Sequence, residues 1–164
     1  VGSTGHLLGA QVSRRLGLRL QHVAYRTFSE ADLLEGRLRH AFTTSHNTPA
    51  LVRDGRAHAV MLTSGERDHL LPDVPTFREA GFPEMTANSW WGLFGPRGLP
   101  AAIEDRLRSE ILRYLAEPEM AAWMRSVGQA PVPEDLAPDV FARFVETERV
   151  RWGRVIRESG ITVE

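Results

Sequence analysis

Leu70-Leu71-Pro72-Asp73-Val74-Pro75-Thr76-Phe77-Arg78-Glu79-Ala80-Gly81-Phe82-Pro83, then Trp90-Trp91-Gly92-Leu93-Phe94-Gly95-Pro96-Arg97-Gly98-Leu99-Pro100, is the stretch on which the reading of this chain turns. Three prolines and a glycine between Pro72 and Pro83 predict a sharply turned connection, because proline locks φ and removes a backbone donor. Beyond it, the bulky run at 89–94 is bounded by Gly95-Pro96 and predicts one extended, largely buried strand. Residues before the stretch alternate between helix and strand patterns, and residues after it are almost wholly helical. The stretch reads as a junction.

Working back from it, Ser3 or Thr4 can cap a helix with an apolar stripe of Leu8, Val12 and Leu16, ending near Gly17. Residues 18–25 read as a strand. Ser29 caps a short helix through Leu33 and Leu34 that stops at Gly36. Residues 38–43 read as a second strand, 48–52 as a short helix closed by Asp54-Gly55, and 57–62 as a continuous apolar strand. Alternation at this spacing predicts an α/β fold with a mostly parallel sheet buried on both faces.

Forward of the junction, Pro100 suits a helix start, and Ile103, Leu107, Ile111 and Leu115 share a face. Glu117-Pro118 restarts the helix, and Met120, Trp123, Met124 and Val127 form a second stripe closed by Gly128. After Pro131 and Pro133, a last helix over about 138–158 turns Phe141, Phe144, Val145, Trp152, Val155 and Ile156 inward. Apart from the 89–94 strand, these helices have no sheet to cover. Their apolar faces therefore predict pairing with another chain, a rearranged tail or poor solubility.

The chain has 164 residues, enough for one domain with a core or for two small lobes. Its 20 basic and 21 acidic residues nearly cancel, so charge gives no sign of a nucleic-acid partner or a membrane surface. Every basic residue is Arg, which excludes a Schiff-base or P-loop lysine. Cysteine is absent, which excludes disulfides and thiolate chemistry. No apolar run approaches the ~18 residues of a membrane span, and no secretory signal opens the sequence. His6, His22, His40, His46, His58 and His69 have neither His-x-His nor His-Glu-x-x-His spacing, so no metal site and no cofactor is expected.

The order Leu71-Pro72-Asp73-Val74-Pro75-Thr76, Glu79, Gly81, Pro83, then Trp91-Gly92-Leu93, Pro96 and Pro100 resembles the Bug-type solute receptors of tripartite tricarboxylate transporters. The resemblance runs from Gly2-Ser3 and His6 to Trp152, Val155-Ile156 and Gly160-Ile161. It implies a type II periplasmic-binding-protein-like fold, with a ligand cleft between two lobes. On that basis residues 1–87 are the α/β second lobe. Residues 88–164 are the crossover strand and the C-terminal helices completing the first lobe, whose N-terminal portion is not in this sequence. The resemblance also implies a periplasmic location, a small carboxylate ligand and membrane transporter components as partners, with no enzymatic activity.

Gly2-Ser3-Thr4-Gly5-His6 is the leading candidate for binding. A glycine-flanked turn opening a helix presents free N–H groups and the positive end of the helix dipole, which suit a carboxylate. Simple N-capping by Ser3 or Thr4 is the competing explanation; the matching loop of the receptors contributes to their cleft. Tyr25 at a strand end is a second candidate, with tyrosine packing as its alternative. Tyr25 and Arg26 match the receptor pattern, whereas Thr27 replaces its glycine.

Thr43 and Thr44, with Ser45 and Asn47, form a polar cluster at the end of the 38–43 strand, where α/β folds place ligands. Helix capping nearby is the alternative. Many receptors carry acids at the positions of Arg39 and Thr43, so their replacement here favours a more anionic ligand if these side chains face the cleft. Two other functions remain open: a ligand-sensing effector domain of a regulator, which shares this lobe architecture, and a small hydrolase using Ser3 and His6. Trp90-Trp91 reads as core packing rather than a stacking platform.

Overall fold

Helix boundaries obey local signals closely. In the computed structural model, which describes residues 2–129 and 137–161, Ser3 caps α1 (Thr4–Arg15) and Ser29 caps α2 (Glu30–Leu34), each by accepting an N–H three residues on. Thr48 and Pro49 open α3 (Pro49–Arg53), and Pro100 opens α4 (Ala101–Leu115). Pro118 restarts the chain as α5 (Pro118–Ser126), and α6 (Pro138–Ser159) ends on Gly160 at φ 63°. That left-handed cap is open to glycine without a Cβ penalty. The signals at Pro131 and Pro133 lie outside the described residues.

Two compact units result. One is Val1–Asn88 with Ala137–Glu164, and the other is Ser89–Leu136. The first unit therefore takes the last helix as well as the first 88 residues, because α6 packs on α1. In the second unit α4 packs with α5.

The parallel sheet expected from the alternating pattern is not seen among the described residues. Among the described residues the only pairing of extended segments is one parallel bridge, Leu62 with Thr76. Around it Leu62 N–H donates to Pro75 C=O at 2.9 Å, Phe77 N–H to Leu62 C=O at 3.0 Å, and Ala87 N–H to Thr63 C=O at 2.7 Å. Residues 18–25 and 38–43 have no regular secondary structure, and Leu18, Leu20, Val23 and Phe42 are exposed. A parallel ladder needs a helical layer on each face, and α2 and α3, five residues each, are too short to supply one. Residues 89–94 also differ from expectation: Trp91, Leu93 and Phe94 are exposed and Trp90 is at the margin, so this is not a buried strand and the tryptophans are not core. Without a neighbouring ladder, solvent must satisfy such backbone.

The turned stretch after residue 70 is the centre of the first unit rather than a mere connection. Leu71, Val74, Thr76, Phe77, Met85 and Ala87 are buried, and Phe77 and Met85 pack with Val12 of α1 against Met61 and Phe82. Thr76 and Glu79 hold the turn. The Glu79 carboxylate accepts Thr76 N–H at 2.8 Å and Arg67 Nε at 3.0 Å, while Thr76 Oγ1 accepts Glu79 N–H at 3.1 Å. Arg67 Nη1 also donates to Pro72 C=O at 3.1 Å. The Thr76 amide and then Arg67 keep the Glu79 carboxyl below its ordinary range. Its contribution to stability is therefore complete above pH 4.5, the ordinary value, and is lost as pH falls through the depressed one.

Thr76→Val keeps the shape but orphans the Glu79 N–H, and is expected to cost about 1–3 kcal/mol in urea unfolding at pH 7. Glu79→Gln should flatten the acid limb of the stability profile; an unchanged limb would show that the pin is not coupled to folding.

In α6, Phe141, Val145, Trp152, Val155 and Ile156 are the less exposed positions, as the stripe predicts, whereas Phe144 is exposed. Arg151 of this helix donates to the carbonyls of Glu84 (3.2 Å) and Thr86, tying α6 to the end of the turned stretch. Gly153 lies within α6, and a Cβ there would meet only the flexible tip of Arg157 at 3.4 Å. Gly153→Ala should therefore stabilise the unit by about 0.5–1 kcal/mol through the loss of backbone freedom in the unfolded chain. A lower melting temperature would mean that the arginine cannot yield. In the second unit Ile103, Leu107 and Ile111 form an exposed apolar row along α4.

Candidate functional site

The opening turn of α1 lies at the surface. Gly2 and Ser3 are exposed, and Thr4, Gly5 and His6 are partly so, while Leu7 and Leu8 just beyond are buried and anchor the helix. Ser3 Oγ accepts His6 N–H at 3.3 Å and Ser3 C=O accepts Leu7 N–H at 3.0 Å. The capping reading of Ser3 thus holds. It leaves the N–H groups of Thr4 and Gly5 without an acceptor among the described residues, at the positive end of a twelve-residue helix.

A second segment approaches this turn. A Cβ on Gly5 would lie 3.0 Å from Phe42 Cβ and 3.6 Å from the Phe42 carbonyl oxygen, and a Cβ on Gly9 would lie 3.4 Å from the Phe42 ring. Only glycines, one helical turn apart, admit the aromatic side chain so near the helix axis. The Phe42–Thr43 peptide is thereby brought beside Gly5, with the exposed Thr43 next in the chain. Thr44 is exposed too, but its hydroxyl accepts Asn47 Nδ2 at 3.0 Å within its own 3-10 turn, Ser45–Asn47. The Thr48 hydroxyl donates to Ser45 C=O at 3.2 Å and caps no helix.

His6 is joined to a third segment. Its ring stacks on His22 with centroids 3.7 Å apart and planes 11° from parallel, and its Nδ1 accepts Gly2 N–H at 3.1 Å. Burial and then His22 lower its pKa from 6.5. Because Nδ1 is occupied and the Ser3 hydroxyl meets the His6 backbone, the described residues contain no hydrogen bond between the His6 ring and Ser3 of the kind a nucleophilic serine requires. Tyr25 is exposed and its hydroxyl bonds to Asp32, which raises the phenol pKa. Asp32 in turn is held low by Ser29, Tyr25 and Arg37. Tyr25 is thus part of a loop network, and the structure does not place it with Gly5.

Of the eight candidates, Gly2 to His6 form one turn, Thr43 joins it through Phe42, and Thr44 and Tyr25 bond within their own loops. Sequence reading missed Phe42 and His22. The Gly5-x-x-x-Gly9 spacing was the signal for a close neighbour on that helix face; nothing local marked His22. Elsewhere in the first unit, a groove of about 420 Å³ lies between the far end of α1 and α6, lined by Gln11, Arg14, Arg15, Glu84, Arg154 and Glu158 among others. It contains none of the candidates. Arg14 pairs with Glu158, and Arg15 with Glu84 at 3.4 Å. No helix among the described residues is long and apolar enough to cross a membrane, and no three metal-ligating side chains cluster among them.

What the arrangement offers is two backbone donors, Thr4 and Gly5, at a helix N-terminus. The profile of the tripartite tricarboxylate transporter family receptor matches residues 1–161. This chain belongs to that receptor family. It is 32% identical over 161 residues to the UPF0065 protein in the tcbD-tcbE intergenic region of Pseudomonas sp. strain P51, a match covering 96% of this chain and 47% of that protein. Among solved structures it is similar to the periplasmic binding protein BugD, with a TM-score of 0.83 and 25% identity over 100% of this chain and 56% of that one. It is also similar to MatC from Rhodopseudomonas palustris with bound malate, with a TM-score of 0.77 and 32% identity, covering 94% and 54%. The family member thus shares the periplasmic-binding-protein fold and spans about half the length of each of these three proteins.

Proposed function

We propose that this family member is a solute-binding module that captures a small carboxylate at the opening turn of α1 and does not alter it chemically. The observation that carries the reading is the pair of amides, Thr4 and Gly5, that meet no acceptor among the described residues at the positive end of an anchored helix. Backbone donors there bind an anion without the side-chain entropy that a lysine or arginine would lose. Gly2, Ser3 and His6 frame the position, and Thr43 and Thr44 add hydroxyls on the Phe42 side; Tyr25 would join only by exchanging Asp32 for the ligand. Malate bound to MatC supports a dicarboxylate. Residues 1–87 would correspond to the second lobe and 88–164 to the crossing segment and closing helices of the first. From that closing part, α6 packs against α1. A periplasmic location and delivery to a membrane transporter complete the reading, on family grounds.

The test is calorimetry and thermal shift against mono-, di- and tricarboxylates at fixed ionic strength. A binder present at one hundred times its Kd should add about 2.7 kcal/mol to apparent stability, and ¹⁵N-resolved shifts should centre on Thr4 and Gly5. If no carboxylate moves either amide at millimolar concentration, the proposal is wrong.

A further inference from the structure

The His6–His22 stack joins the first turn of α1 to the irregular segment 18–25. At its start that segment is tied to α1 through Ser13, whose carbonyl accepts Leu18 N–H at 2.8 Å and whose hydroxyl donates to Leu18 C=O at 2.6 Å. Toward its other end the tie to α1 is the imidazole pair, 3.7 Å between centroids. With Nδ1 of His6 accepting the Gly2 amide, that ring is neutral and carries its proton on Nε2. We infer that the stacked pair is an acid-released clasp, which holds segment 18–25 against α1 when the His6 ring is neutral and lets it go when that ring takes up a proton.

Three physical effects act in the same direction. A protonated Nδ1 is a donor and can no longer accept the Gly2 N–H. Two imidazolium rings stacked face to face repel each other. A cation in the first helical turn also meets the positive end of the α1 dipole. His22 gives His6 no relief, since its charge disfavours protonation of that ring, and Phe42, packed on the same turn across Gly5, brings no charge.

The clasped state therefore binds protons less readily than the open one. It is intact above pH 6.5, the ordinary histidine value, and is lost as pH falls through the depressed value. The clasp does not rest on the carboxylate reading.

The experiment is a ¹H–¹³C NMR titration of the histidine ring protons in the whole chain from pH 8 to 5, with the His6–His22 ring-to-ring NOE tracked in parallel. Expected are a His6 midpoint below 6.5 and disappearance of the NOE in acid, with the open-to-clasped ratio rising by up to about tenfold per pH unit as His6 takes up its proton. His22→Ala should move the His6 midpoint back toward 6.5. His22→Phe, which keeps an aromatic ring to stack on His6, should retain the ring-to-ring NOE at pH 8 and its loss in acid. A His6 midpoint at or above 6.5, or a ring-to-ring NOE that persists unchanged at pH 5, would overturn the inference. The parent chain alone decides it if either variant fails to fold.

Discussion

Met85→Ala should lower the unfolding free energy by about 2–5 kcal/mol. Met85 has no exposed surface, and it closes the cluster made with Val12 of α1 and Phe77 of the turned stretch. Its removal takes away the transfer free energy of the thioether chain and leaves a cavity. The backbone on either side cannot readily collapse into that space: Met85 and Thr86 N–H are bonded to Phe82 and Pro83 C=O, Ala87 N–H to Thr63 C=O, and Arg151 holds the Glu84 and Thr86 carbonyls. Urea unfolding monitored by tryptophan fluorescence measures the change. Met85→Leu, close in volume, should cost under about 1.5 kcal/mol. Equal losses for the two variants would show that packing at this position is not what holds α1 to the turned stretch.

Gly5→Val is the second large effect, and it tests fold and site together. The first atom of any side chain here falls 3.0 Å from Phe42 Cβ, close enough that something must move, and valine adds two methyl groups to it. The expected cost is about 1–3 kcal/mol of stability, from pushing the Phe42–Thr43 peptide away from the opening turn. Phe42→Ala in the same chain should recover much of that loss. The double-mutant cycle would then give a coupling of about 0.5–3 kcal/mol between two positions far apart in sequence. Carboxylate response should disappear in Gly5→Val, since the Gly5 amide would be covered. A variant that loses stability but keeps its full ligand response would place the binding site elsewhere.

Much of the local structure was legible. Ser3, Ser29, Pro49, Pro100, Pro118 and the glycines at 17, 36, 55, 128 and 160 mark helix ends where the structure has them, because capping and left-handed backbone depend on a few neighbouring residues. The stripes at Leu8 and Val12 and along α6 were also legible, since an anchored helix buries one face. The sheet was misread for a definite reason. Short apolar runs such as 57–62 carry the composition of a buried strand whether or not partners lie alongside, and periodicity does not report the partner. The exposed row of Ile103, Leu107 and Ile111 has the same origin: an amphipathic pattern says that a face is suited to burial, not what buries it.

By itself, then, the amino-acid order determined where helices begin and end, that no lysine or cysteine chemistry operates, and, through the spacing of Leu71 to Thr76 with Trp91 to Pro100, the receptor family. Only the tertiary structure decided that the proline-rich stretch is core, that Phe42 lies in the notch of Gly5 and Gly9, and that His6 stacks on His22. The first set rests on interactions within about one helical turn or on ordered local motifs. The second rests on contacts between residues distant in sequence, which form only after the chain closes long loops at an entropic cost that no local signal records.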